Sequence, residues 1–249
     1  VFLQASYRWG ATKTAETGAA SPSGSPVNWT GFYIGGHVGG GWSDDHWSDP
    51  FGSTPGLGGT TNIAGFGDTT HATGPLGGGQ IGFNIQKDQW VFGLQADADA
   101  ADLRGENTCF SGLGGINCQR VVNSLGTLTG RVGFAWDRSL VYVKGGGALT
   151  NTTYNLNGNT NALALGAGST NLYEGGWTVG GGVEYALTKN WSALVEYDHI
   201  GLASVTVPFP TVAMINAQSI SVRQSIDVFK LGVNYKFDIS EPAPVVAKY

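Results

Sequence analysis

The chain has 249 residues, a formal net charge of −5, 12% charged residues and 41 glycines. Its charge is about half the ~25% of an ordinary soluble domain and its glycine over twice the usual ~7%, yet no Gly-X-Y period makes it collagen. The acidic balance gives no basic footprint for nucleic acid. No run of about eighteen apolar residues forms a transmembrane helix, but a bilayer is also crossed by closed β-barrels whose spanning unit is only about ten residues of alternating character.

The chain opens with Val1, Leu3, Ala5, Tyr7 and Trp9 alternating with Gln4, Ser6 and Arg8, followed by Ala, Thr, Ser, Gly and Pro through Pro26. This reads as a short amphipathic strand on a flexible linker, an N-terminal extension over residues 1–28. Val1, Leu3, Tyr7 and Trp9 would dock on a partner's sheet edge, or the segment is a frayed terminus.

Eight period-two segments follow, near Thr30 to Trp42, Thr73 to Ile85, Trp90 to Leu103, Val122 to Trp136, Leu140 to Thr152, Tyr173 to Ala186, Trp191 to Ala203 and Val222 to Phe237. In the last, Phe229, Leu231, Val233, Tyr235 and Phe237 share one face and Lys230, Gly232, Asn234 and Lys236 the other. The spacing predicts strands. Three connections are tight (Gln86 to Gln89, Asp137 to Ser139, Leu187 to Asn190). They alternate with four long polar ones (Ser43 to Ala72, Arg104 to Arg120, Thr153 to Leu172, Ser204 to Ser221). Strict alternation of short and long is the pattern of outer-membrane barrels, and an even strand count lets the first and last strands close the sheet. The expected fold is an eight-stranded antiparallel transmembrane β-barrel over residues 29–237, with short periplasmic turns, long external loops and a tail over 238–249.

The aromatic residues fit this expectation. Trp90, Trp136, Trp191 and Phe237 fall beside the short turns, and Trp42, Tyr173 and Trp177 toward the long connections. Two girdles a strand length apart are where amphipathic rings settle at lipid headgroups.

The residues also carry a resemblance. Trp29-Thr30-Gly31-Phe32-Tyr33-Ile34-Gly35-Gly36, Thr129-Gly130-Arg131-Val132-Gly133, Val141-Tyr142-Val143-Lys144-Gly145-Gly146 and Gly232-Val233-Asn234-Tyr235-Lys236-Phe237 resemble the small outer-membrane β-barrel proteins of alphaproteobacteria. That family includes the major surface proteins of Brucella and the haemin-binding proteins of Bartonella. The resemblance covers about Asn28 to Phe237. It implies a porin-like protein of a Gram-negative outer membrane, in contact with lipid and lipopolysaccharide, with both termini periplasmic.

With the apolar phase toward lipid, the other phase lines the lumen, and it carries Asp97, Asp99, Arg131, Lys144, Glu184, Glu196, Asp198 and Lys230 beside Tyr33, His37, Gln80, Asn84, Gln95, Tyr142 and Lys236. Charges in a narrow interior are expected to pair. An eight-stranded barrel is just wide enough for side chains to fill, so a packed structural core is favoured over a narrow or gated path for ions and small solutes. Asp97 and Asp99 face one way, but no nucleophile or histidine is placed beside them, so no enzyme activity is expected. Gly77-x-Gly79-x-x-Gly82 enters a strand and lacks the strand-to-helix turn of a dinucleotide site.

In the second long connection, Cys109 and Cys118 are expected to form a disulfide in an oxidising compartment, worth roughly 2.5 to 3 kcal/mol on the chain-entropy model. Asp44, Asp45, His46, Asp49, Asp68 and His71 in the first match no metal-binding loop pattern, so no metal and no cofactor is expected. A haemin receptor working through His46 or His71 is the third functional class, after the structural barrel and the small pore. Oligomeric state is left open. The alanine face Ala96, Ala98 and Ala100 would admit a close neighbour.

Overall fold

The computed structural model describes residues 27–48, 69–110, 116–158, 168–203, 205–208 and 219–237. They form β1 (Gly31–Ser48), β2 (Thr69–Lys87), β3 (Trp90–Phe110), β4 (Ile116–Trp136), β5 (Ser139–Gly158), β6 (Gly168–Ala186), β7 (Trp191–Leu202), β8 (Val205–Pro208) and β9 (Ser219–Lys236). Each strand from β1 to β7 pairs antiparallel with the next, β7 pairs with β9, and β9 returns to β1 with Tyr33 opposite Lys236. The result is a closed eight-stranded barrel. The short β8 lies beyond the end of β7 along the same neighbour, with Val205 opposite Val222 where β7 has Gly201 opposite Ser225.

The connections divide the barrel into a turn end and a far end. At the turn end, Lys87 pairs with Trp90 and Trp136 with Ser139, so two hairpins close in two residues each. Asp88 and Asp137 lead those turns at φ 57° and 54°, a left-handed conformation that aspartate tolerates.

Toward the far end the strands run well past the bounds expected from the sequence. β1 continues to Ser48, β3 to Phe110 and β5 to Gly158, and β4 starts at Ile116 and β6 at Gly168. The expected loops Ser43 to Ala72, Arg104 to Arg120 and Thr153 to Leu172 are therefore partly barrel wall. The physical reason lies in what the wall faces. Both phases of Asn151-Thr152-Thr153-Tyr154-Asn155 are polar, so the apolar half of the period-two signal vanishes while the backbone pairing continues. At 21 residues, β3 and β4 are about twice the length needed to cross a bilayer.

Apolar side chains point outward: Phe32, Ile34, Ile81, Leu94, Leu128, Val143, Val195 and Leu231 are all exposed. Trp90, Trp136, Trp191 and Phe237 ring the turn end, and Trp42 and Trp177 form the other belt, all exposed. A soluble protein does not carry a continuous apolar belt of this extent on its surface, whereas lipid is its natural solvent.

Candidate functional site

The candidate site is the lumen, and it is built in layers. Because side chains alternate along each strand, every second one points inward, and these stack in layers from the turn end upward.

The lowest layer is apolar. Trp29, Val91, Ala135, Leu140, Tyr142 and Ala186 are buried together, and Val27 packs against them. Gly31, at φ 140°, turns the chain from this stopper into β1. The Trp29 backbone N–H donates to Gln86 Oε1 at 2.7 Å, and the Lys236 ammonium donates to the Asn28 carbonyl. Lys236 thus sits at the rim rather than in the sealed interior.

Above it, the Arg131 guanidinium lies between two aromatic rings, 4.7 Å from the Tyr33 centroid and 4.9 Å from that of Tyr142. It donates to Asn84 Oδ1 at 2.9 Å and to Glu184 Oε2 at 3.4 Å. Glu184 Oε1 accepts from Ser192 at 2.5 Å and Asn234 at 2.8 Å.

The third layer holds two ammonium groups among four carboxylates. Lys144 Nζ lies 2.7 Å from Glu196 Oε1, 3.1 Å from Asp198 Oδ2 and 3.7 Å from Asp97 Oδ2. Lys230 Nζ lies 2.9 Å from Asp198 Oδ2, 3.5 Å from Glu196 Oε1, 3.7 Å from Asp97 Oδ1 and 3.9 Å from Asp99 Oδ2. His37 closes the set on Asp99, Tyr142 donates to Glu196 Oε2 at 2.7 Å, and Thr127 donates to Asp97 Oδ2 at 2.9 Å. Every charged member is buried. Desolvation of so many charges is offset by ion pairing of each with an opposite charge.

The fourth layer is apolar again: Leu76, Leu103, Val122, Leu125, Ala148, Ile200, Leu202, Ile226 and Val228 form one buried cluster. Beyond it, Arg120 donates to Ser43 Oγ at 3.2 Å and to Gln224, and Glu174 accepts from Tyr154 at 2.6 Å and Thr152 at 3.4 Å.

The lumen thus brings together Asp97, Asp99, Arg131, Lys144, Glu184, Glu196, Asp198 and Lys230, the charged residues singled out from the sequence. The apolar fourth layer and the Arg120–Glu174 layer were not legible there. In β4, Thr129, Thr127 and Leu125 face inward, and so do Val122 and Arg120, because an irregularity at Asn123 shifts the pairing between Val122 and Ser124. One inserted residue reverses the alternation, and a constant period two therefore loses the strand at that point.

Other candidate residues lie elsewhere. Cys109 and Cys118 fall in the β3–β4 ladder. The register sets Asn107, not Cys109, opposite Cys118, with an irregularity between Thr108 and Phe110. The two cysteine side chains, that of His46, and Val1, Leu3, Tyr7 and Trp9 lie outside the described residues. His71 is exposed and meets Asp44 at 2.6 Å. Among the described residues, no three His, Cys, Asp or Glu side chains converge as a metal site.

Comparison with known proteins agrees with this geometry. Residues 11–237 match the outer membrane protein beta-barrel domain family. The 31 kDa outer-membrane immunogenic protein of Brucella melitensis is 30% identical over 226 residues, 88% of this chain and 89% of that protein. The 22 kDa outer membrane protein of Rhizobium leguminosarum bv. viciae is 27% identical over 225 residues, 90% of this chain and 83% of that protein. Among solved structures, OprG from Pseudomonas aeruginosa is similar at a TM-score of 0.52 and 18% identity, over 84% of this chain and 96% of OprG, and shows the same fold. The chain belongs to the outer membrane protein beta-barrel domain family and is an outer-membrane protein.

Proposed function

We propose that the protein is a sealed structural and interaction barrel, with its turn end in the periplasm and its far end, carrying the long connections, outside the cell. The observation that carries this reading is the packing of the lumen: buried, paired charges fill its middle, with an apolar cluster on either side. An ion crossing it would have to shed its water against Leu103, Val122 and Ile226 on one side and Trp29 and Leu140 on the other.

The deciding experiment is single-channel recording of the purified, refolded protein in a planar bilayer. The expected trace is silent. Discrete steps that change with Arg131→Ala or Glu196→Ala would overturn the reading and make the lumen a conduction path. Residues 1–26 precede Val27 at the turn end and would reach a periplasmic protein partner. Their deletion without effect on what copurifies would remove that part of the proposal.

A further inference from the structure

Among the described residues, the wall is closed along β7 but not beyond it. β7 ends at Leu202, and the last rung to β6 is the Ala203 N–H, which donates to the Gly175 carbonyl at 3.0 Å. β6 nevertheless continues outward to Gly168, paired on that stretch with β5, where Asn151 stands opposite Tyr173 and Leu156 opposite Gly168. The short β8 lies where β7 would have continued, but it follows β9 and makes no rung to β6. A seam therefore opens between β6 and β8. The N–H and C=O groups of successive residues alternate between the two edges of a strand. Gly175 directs its carbonyl toward β7, so Tyr173, Asn171 and Ser169 direct their backbone groups to the same side, where no described strand meets them. These donor and acceptor pairs, repeating every ~7 Å, line one lip of the seam.

The lip is accessible. Tyr173 lies four residues beyond Trp177, about 13 Å along the strand, and is 84% exposed, so the edge stands clear of the aromatic belt. Proteins blunt such edges with short strands, proline or outward charges, because an unblunted edge is a template for another strand. The two lips differ in this respect. β8 runs only from Val205 to Pro208, and Pro208 has no N–H to offer. Gly168 to Gly175 holds no proline and no lysine, and its single charge, Glu174, is buried on the inner face. The β6 lip is the unprotected one.

We propose that the β6 edge from Ser169 to Tyr173 binds an extended, basic peptide segment of another protein, which adds to the wall as a strand antiparallel to β6, as β7 does lower down. Backbone hydrogen bonds supply the affinity and alternate side chains the selectivity. One set of the added side chains faces outward beside Asn171 and Tyr173, where an aromatic ring favours a β-branched neighbour across the ladder. The other set faces inward beside the half-buried Leu172. The basic character follows from the charge around the seam. Residues 43–72 carry four aspartates and neither lysine nor arginine. Asp44 among them is exposed on β1, the strand that flanks β9 on the far side of the seam. Placing the partner outside the cell rests on the orientation proposed above. The strand addition does not.

The probe is a capped, fluorescent peptide of alternating threonine and valine with lysine at each end, titrated against the refolded barrel in nanodiscs. Saturable binding is expected. Asn171→Pro removes an N–H at the centre of the lip and none from the β5 ladder, and is expected to weaken binding by tenfold or more. Asn171→Ala alters the side chain alone and is expected to bind like the wild type. Heat-modifiable gel mobility shows whether each variant has folded. Should Asn171→Pro not fold, peptides N-methylated at every second amide, in either phase, give the same reading: one phase is expected to bind and the other not. No saturable binding to the wild type, full binding to folded Asn171→Pro, or equal binding of the two methylated phases would overturn the proposal. Exchange of the peptide's lysines for glutamates is expected to weaken binding, and equal affinity would overturn the basic assignment. Self-association of the barrel that Asn171→Pro abolishes would make the occupant a second copy and overturn the assignment to another protein. A nanodisc exposes both ends of the barrel, so these outcomes are independent of its orientation and of whether the lumen conducts.

Discussion

The ring of Tyr142 lies over Gly182, the residue directly opposite it across the β5–β6 ladder. A Cβ at Gly182 would come 2.7 Å from the Tyr142 hydroxyl oxygen and 2.6 Å from the Val195 carbonyl. Tyr33 lies over Gly82 in the same way, with a Cβ there 2.3 Å from its hydroxyl oxygen. The two glycines let both rings lie down and clasp Arg131. Gly182→Ala is expected to destabilise the barrel by about 1–3 kcal/mol, the usual range for overpacking a filled core. The urea midpoint of the heat-modifiable gel band measures this, and an unchanged midpoint would mean that the ring has room to move.

The charged layer predicts an asymmetry between breaking and removing charges. Lys144→Met leaves Glu196 and Asp198 short of a partner and is expected to cost about 3–5 kcal/mol. The double variant Lys144→Met/Glu196→Gln removes opposite charges together and should recover part of that loss. Equilibrium unfolding of the four members of the cycle tests it. Additive losses would show that the two side chains do not act as a pair.

The proposed closure, with an apolar cluster on either side of the charges, predicts that neither cluster alone governs permeation. Leu103→Ser with Ile226→Ser breaches the upper apolar layer, and Trp29→Ala the lower one. Each breach alone is expected to stay electrically silent, and the combined variant to conduct. Current through either single breach would place the whole barrier in one layer.

Asn123 is the inserted residue in the outer half of β4. Its deletion would remove the insertion and set Val122 next to Ser124 in regular alternation, so Val122 and Arg120 keep their inward faces, whereas deletion of Val121 would move Arg120 to the outer surface, since a one-residue slip exchanges the faces of a strand. The heat-modifiable folded band is expected to survive deletion of Asn123 and to be lost on deletion of Val121; loss of the band in both would show that the inserted residue itself is required.

The cysteines give a direct chemical test. Although Asn107 and not Cys109 is opposite Cys118, Cys109 stands at an irregularity where the ladder can yield. A Cys109–Cys118 disulfide is expected in protein taken from the membrane. Maleimide labelling that requires prior reduction would demonstrate it, and labelling without reductant would exclude it.

What the sequence made legible follows from what each face touches. Where the wall is in lipid, as at Phe229, Leu231 and Val233 against Lys230 and Asn234, alternation is sharp and the strands are plain. Past Trp177 both faces of the wall meet polar surroundings, so Thr153 to Asn155 read as a loop although they are fully paired. The lumen charges Lys144 and Glu196 were legible because a charge on an apolar strand has few places to go. The inward cluster of Leu103, Val122 and Ile226 was not, since an apolar residue on a barrel strand is first assigned to lipid, and the Asn123 irregularity hides the change of phase. The Tyr–Gly pairs lie beyond any one-strand pattern, because partners such as Tyr33 and Gly82 meet only through the register.

On the reading proposed above, a closed lumen separates abundance from leakage. A bacterium that inserted many copies of an open channel would erode the barrier that its outer membrane provides, but copies of a closed barrel would add wall without adding conductance. Expression of this protein would then be limited by membrane area and folding capacity, not by the permeability the cell can tolerate.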